Sequence, residues 1–201
     1  MSSPIDFYFD FSSPYGYLAA QRIDALAGEH GREVNWWPYL MGAVMQLTGA
    51  KPLTLRGDLI RNYAVRDMAR SARQHQIPFQ LPSVFPVPTV AAGRAYWWLR
   101  DTDAAAARDL AKALYSAYFA ADRNIQEAAI VLEVAAECGV DRQALETALQ
   151  DEAVKTRLKD VTNEAIERGV FGSPYFIVDG EPFWGNDRID QLAEWLRSGG
   201  W

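Results

Sequence analysis

The chain has 201 residues, 49% hydrophobic and 23% charged, enough apolar material for one large core or two small ones sharing an interface. Its 26 acidic and 20 basic residues leave a net charge of -6, which argues against nucleic acid as a partner, since phosphate binding needs a basic footprint. No apolar stretch approaches the roughly 20 residues that cross a bilayer, and the single cysteine, Cys138, excludes an internal disulfide and a four-thiolate zinc site.

The opening Met1–Asp6 lacks a basic n-region and leads straight into a strand pattern, so a cytoplasmic protein without a secretory signal is expected. Residues 5–11 alternate like a strand. Ser13 and Pro14 then read as the N-cap and first residue of an amphipathic helix over 14–28, with Leu18, Ile23 and Leu26 apolar and Gly31 as its C-terminal cap. A second strand, Glu33–Pro38, stops at its proline, and strand–helix–strand order implies parallel pairing with a right-handed crossover. Residues 41–168 are mostly helical in pattern, with helices expected over 58–76, 89–101, 103–120, 126–138, 141–149 and 151–169. Pro82, Pro86 and Pro88 mark an irregular connection between the first two. After Gly172 the period returns to two: Tyr175–Val178, a turn at Asp179-Gly180, and Glu181–Trp184 form a hairpin, and 188–197 closes the chain as a helix. Cys138 is expected to be a small buried residue; His30 and His75, far apart in polar surroundings, are expected at the surface and offer no metal site.

The pattern is therefore β-α-β, a helical block, then α-β-β-α, an α/β thioredoxin-like fold with a large all-helical insertion. Residues 1–41 plus 151–201 make up the expected thioredoxin-like domain and 42–150 the inserted helical domain. Three segments carry a resemblance: Asp6–Tyr15, Gly169–Phe176, and Phe183-Trp184-Gly185-Asn186-Asp187-Arg188. With them the chain resembles the glutathione-dependent branch of the DsbA-like thioredoxin superfamily, above all 2-hydroxychromene-2-carboxylate isomerases and kappa-class glutathione transferases. The likeness covers nearly the whole chain.

Dithiol oxidoreductases of that superfamily open the first helix with C-P-x-C; here Ser13 and Gly16 stand at the two cysteine positions, so disulfide exchange has no attacking thiolate. The resemblance implies a borrowed thiol, glutathione, with its sulfur beside Ser13. A serine without a neighbouring base is a poor nucleophile, yet its hydroxyl and the helix-end N–H groups favour an ionised sulfur. Ser13 is thus read as thiolate stabiliser, although a plain helix cap is the simpler alternative. Ser173-Pro174, expected to be cis, would offer the backbone of Ser173 to the cysteinyl part of glutathione, as an added strand does. Asn186 and Asp187 would hold its γ-glutamyl end, with helix capping as the alternative for Asp187. The segment 42–52 looks like a family loop reaching the site. Where the family often has asparagine and lysine this chain has Ala50 and Ile60, and Lys51, Arg56 or Arg61 would have to compensate. Tyr15, Trp37 and Phe85 are candidates for lining an apolar acceptor site. The expected activity is glutathione-dependent isomerisation of an unsaturated aromatic pyruvate or chromene carboxylate, with a kappa-like transferase or peroxidase as the alternative and a non-catalytic peptide binder as a third. A homodimer and a small aromatic substrate follow from the resemblance, with no nucleic acid, membrane or metal partner.

Overall fold

The alternation at the start of the chain becomes a central strand, β1 (Ile5–Phe9). Ile5, Phe7 and Phe9 enter the main core with Trp36 and Phe176, while Tyr8 joins Tyr39, Val44, Ala165, Val170 and Tyr175 in a smaller cluster on the opposite face. The computed structural model describes residues 3–201; Met1 and Ser2, where the leader-free reading begins, lie outside them. β1 pairs in parallel with β2 (Val34–Pro38) and antiparallel with β3 (Tyr175–Val178), which pairs with β4 (Glu181–Trp184), giving the order β2-β1-β3-β4. In the β3–β4 turn, Asp179 and Gly180 have φ of 52° and 88°, the pair of left-handed residues that a type I′ turn requires.

The crossover is two helices rather than one: α1 (Pro14–Ala20) and α2 (Ile23–Glu29). Between them the turn tightens, the Arg22 N–H bonding back to Ala19 C=O at 3.0 Å, and the Arg22 guanidinium reaches Asp190 at 3.1 Å. The expected loop at 42–52 is mostly helix, α3 (Met41–Thr48). Its first N–H donates to the Asp10 carboxylate at 2.9 Å, and Gly49 ends it at φ 69°. The capping group stands 31 residues upstream, so the sequence gives no local sign of it.

Six further helices follow: α4 (Asp58–Gln74), α5 (Val90–Arg100), α6 (Ala104–Phe119), α7 (Ala128–Glu137), α8 (Arg142–Ala148) and α9 (Glu152–Glu167). Asp103, Asp141 and Asp151 accept N–H groups of the first turns they precede, and so fix where α6, α8 and α9 begin. After the hairpin, a 3-10 turn at Asn186–Arg188 leads into α10 (Ile189–Ser198). One apolar cluster joins the strands to side chains of both the terminal and the helical segments, among them Leu18, Trp97, Leu114, Val131, Leu158 and Leu192.

The outer edge of β2 is closed by side chains instead of a further strand. Arg108, Tyr96 and Trp97 donate to the carbonyls of Val34, Trp36 and Pro38 at 3.4, 2.8 and 2.9 Å, leaving no ladder of free acceptors. Cys138 is exposed, contrary to expectation, because it is the C-cap of α7, beyond the turns that pack. His30 and His75 are also C-cap residues and partly exposed. No described helix is long and apolar enough to cross a membrane.

Candidate functional site

β1 ends where the backbone of Asp10 leaves the ladder, and the chain turns into α1 through Ser13. The Ser13 N–H donates to Asp10 C=O at 2.9 Å, and its backbone is extended (φ -93°, ψ 114°) as an N-cap requires. Its Oγ accepts the Gly16 N–H at 3.0 Å, while Pro14 occupies the first helical position, where no N–H is needed. The Ser13 hydroxyl donates to the Ser173 carbonyl at 2.8 Å, across 160 residues of chain. The Ser173-Pro174 bond is cis, as expected, and a second cis bond at Phe85-Pro86 was not anticipated from the sequence. Ser13, Ser173 and Pro174 are therefore brought together. The two serines are nearly buried, 9% and 7% exposed.

A polar frame of residues that motif reading did not single out fixes this junction. The buried Asp10 carboxylate accepts from the Ser12 N–H at 2.8 Å, the Met41 N–H at 2.9 Å and the Thr89 hydroxyl at 3.0 Å. The Asp10 N–H donates to Ser173 Oγ at 2.9 Å, and Asp10 C=O accepts the Tyr115 hydroxyl at 2.9 Å. Tyr39 donates to Gly172 C=O at 2.7 Å, and the Gly185 N–H to Pro174 C=O at 3.1 Å. Burial raises the Asp10 carboxyl above the ordinary range, against the pull of its three donors. Burial likewise holds the Tyr115 hydroxyl well above the usual phenol value, and the nearby Asp10 adds to this. The spacing of Asp10 from Met41, Thr89 and Tyr115 carries no periodic signal. Only its place at the end of an aromatic strand hinted at it.

Gly16 stands at the second cysteine position of the dithiol pattern, and no side chain fits there. A Cβ would come 2.6 Å from Tyr115 Oη, 2.9 Å from Ser173 Oγ and 3.1 Å from Ser13 Cβ. Gly172 is similarly constrained, its missing Cβ displaced by the Trp184 indole. The space a resolving thiol would need is filled by the hydroxyls of the frame.

On the flank of α1, the 3-10 turn presents Asn186 and Asp187 beside the first helical residues, fastened by the Gly185 bond to Pro174. Asn186 is buried, its side-chain carbonyl 3.5 Å from Arg22. Asp187 makes no helix-capping bond, since it lies within the 3-10 turn and Arg188 takes the cap position of α10; its side chain is 73% exposed and lies 3.5 Å from Arg188. Its negative charge is felt at Tyr15, whose hydroxyl donates to Asp67 on α4 at 2.6 Å. Burial raises the Tyr15 phenol, and the Asp67 contact raises it further. Burial would also raise Asp67, but the Tyr15 hydroxyl and Arg70, 2.5 Å away, outweigh it and hold that carboxyl below its ordinary range.

Phe85 packs near Tyr118 and Phe119 on the connection whose Val87 N–H donates to Ser12 Oγ at 3.0 Å. Trp37 is turned to the other end of β1, its indole N–H donating to Asp6 at 3.0 Å, which removes it from the acceptor candidates. Lys51, Arg56 and Arg61 are exposed and make no ion pair among the described residues.

Residues 4–197 match the DSBA-like thioredoxin domain, and the chain belongs to that family. A 2-hydroxychromene-2-carboxylate isomerase of Pseudomonas sp. (strain C18) is 30% identical over 189 residues, covering 94% of this chain and 87% of its own. Glutathione s-transferase kappa 2 of Caenorhabditis elegans is 29% identical over 210 residues, covering 96% and 91%. The solved structure of a selenomethionine 2-hydroxychromene-2-carboxylate isomerase superposes with a TM-score of 0.87 at 28% identity, covering 96% of this chain and 94% of that one. Both curated relatives thus match nearly the whole chain, one named an isomerase and the other a kappa transferase.

Proposed function

We propose that the protein is a glutathione-dependent isomerase of an unsaturated aromatic pyruvate or chromene carboxylate, with Ser13 holding the glutathione sulfur as a thiolate. The observation that carries this reading is the replacement of a dithiol by a buried serine at the N-terminus of α1 in a chain with no room for a second side chain at Gly16. The relatives named for the same reaction align over nearly the full length. The residues present suit glutathione: among the described residues nothing accepts the Ser173 N–H, and Asp187 offers an exposed carboxylate to an ammonium on the same flank.

Glutathione, when bound, supplies a nucleophilic sulfur that can add to an unsaturated bond and leave it again after rotation. The protein's part is to keep that sulfur ionised and oriented. Ser13 provides a hydroxyl at a helix end whose partial positive charge favours an anion. Ser173 provides a backbone edge for the cysteinyl residue, and Asn186 with Asp187 the γ-glutamyl end. The Asp10–Tyr115–Tyr39 frame keeps these groups in place. We take the protein to be a cytoplasmic homodimer acting on a small aromatic molecule.

The test is stoichiometry. A chromene carboxylate should isomerise with glutathione in catalytic amount and none consumed, and Ser13→Ala should slow turnover by about ten- to a thousandfold. Consumption of one glutathione per turnover on an electrophile would instead favour the kappa-like transferase, to which the relation with the Caenorhabditis elegans protein lends weight.

A further inference from the structure

The hydroxyl of Ser13 has a single proton, and that proton is already engaged. Its two neighbours cannot exchange roles: the Gly16 N–H, 3.0 Å away, can only donate to the oxygen, and the Ser173 carbonyl, 2.8 Å away, can only accept from it. A sulfur arriving at this helix end therefore meets a hydroxyl whose donor points elsewhere. Turning the hydroxyl toward the sulfur would leave the Ser173 carbonyl without that donor in a nearly buried residue, which opposes the turn.

The carbonyl cannot retreat to ease the exchange. On one side Gly172 C=O is held by Tyr39 at 2.7 Å, on the other Pro174 C=O by the Gly185 N–H at 3.1 Å, and Ser173 Oγ itself accepts from Asp10 N–H at 2.9 Å. Three fixed bonds surround the group, so the carbonyl stays in reach of the hydroxyl; a second donor arriving at its free lone pair would satisfy it and remove the cost of releasing the hydroxyl. A ligand amide N–H can be that donor, and the Ser173 N–H, which meets no acceptor among the described residues, can take the carbonyl of the same ligand residue.

We propose that the Ser173 carbonyl is a specificity-determining group: it withholds the Ser13 hydroxyl until a ligand amide N–H takes its place, so the hydroxyl is delivered only to a thiol set in a peptide-like chain. The inference rests on Ser13 and Ser173 forming the glutathione site argued above. In the exchange, the Ser13 O–H···O=C Ser173 hydrogen bond breaks and an N–H···O=C bond forms. The hydroxyl then turns to the sulfur, whose own proton passes to water. No covalent bond of the protein changes, and no oxidant or reductant is needed. Thiols that lack the amide, however well they fit, gain the helix end but not the hydroxyl.

The experiment compares glutathione with its depsipeptide analogue, in which an ester oxygen replaces the N–H between the γ-glutamyl and cysteinyl residues. Binding of each is measured by calorimetry, and ionisation of the bound thiol by its ultraviolet thiolate absorbance against pH, in the wild type and in Ser13→Ala. Glutathione should ionise about one to two pH units lower than the depsipeptide when both are bound, the size of one hydrogen bond to a charged acceptor. Ser13→Ala should erase that difference and leave the depsipeptide's own curve unchanged. Equal ionisation of the two bound thiols, or a Ser13→Ala effect of the same size on both, would overturn the coupling while leaving the glutathione site standing. Absence of saturable glutathione binding would overturn both readings.

Discussion

Gly16→Ala sets two effects of opposite sign against each other at the centre of the site. In an ordinary helix alanine is favoured over glycine by about 0.5–1 kcal/mol, and Gly16 has no left-handed backbone to require glycine. Against this, the added methyl would lie 2.6 Å from Tyr115 Oη and 2.9 Å from Ser173 Oγ, both inside normal contact. Neither oxygen is the loose end of a flexible side chain: Tyr115 is fully buried and bonded to Asp10 C=O, and Ser173 Oγ to Asp10 N–H. Overpacking of this kind costs about 1–3 kcal/mol, so the net destabilisation should be about 1–2 kcal/mol, or about 2–8 °C in Tm for a chain of this length. Urea and thermal unfolding of Gly16→Ala, Tyr115→Phe and the double variant measure it. Since Phe removes the nearest oxygen, the double variant should be more stable than the sum of the single effects by at least about 0.5 kcal/mol. A Gly16→Ala protein as stable as the parent, or strictly additive effects, would refute the claim that the hydroxyl frame fills the second-thiol position.

Asp10→Asn places an amide NH2 against donors that now face carboxylate oxygens, and should destabilise by about 1–3 kcal/mol in urea titrations at neutral pH. Because burial raises the folded-state Asp10 pKa above its unfolded value near 3.9, the folded state holds the extra proton between the two values. Stability from this group therefore falls as pH rises through that window, and the Asn variant should lack that slope; an unchanged slope would contradict the assignment. Asp67 has the opposite sign: held low, it contributes stability above its unfolded pKa that is lost as pH falls through the folded one. Tyr15→Phe should reduce that acid-side loss by less than about 1 kcal/mol, given solvent screening, and speed amide exchange in α4; no change in either would remove the tether. Asp187→Ala should weaken glutathione binding by up to about fivefold, the scale of an exposed ion pair, with unfolding unchanged because Asp187 caps no helix; a loss of stability would restore the capping role.

What the sequence disclosed follows from how local each cause is. The alternation over 5–11, which the structure keeps as strand to Phe9, the Ser13-Pro14 start of α1, the helices expected from 103, 141 and 151 and the Asp179-Gly180 turn are each settled within a few residues, and each stands in the structure. The helical state of α3 is not legible locally, since its N-terminus is capped by Asp10 through the fold. The split of α1 from α2 likewise depends on where Arg22 meets the turn before α10. In the site, Ser13 could be found from the dithiol pattern it interrupts, and Ser173 from the Ser-Pro pair before β3. The frame that holds them could not: Tyr115, Tyr39 and Thr89 sit on elements far apart in sequence and look like ordinary core or cap residues until the bonds to Asp10 and Gly172 are seen. The same holds for the Ser13 hydroxyl, whose commitment to the Ser173 carbonyl depends on a contact across 160 residues.

Titrating the thiolate absorbance of glutathione bound to the wild type and to Ser13→Ala examines the sulfur-holding role without relying on any substrate. Bound to the wild type, the thiol should ionise below its free value near 8.5, and the alanine variant should move that ionisation upward by about one to two pH units. Superimposable titrations in the two proteins would contradict a thiolate held by Ser13.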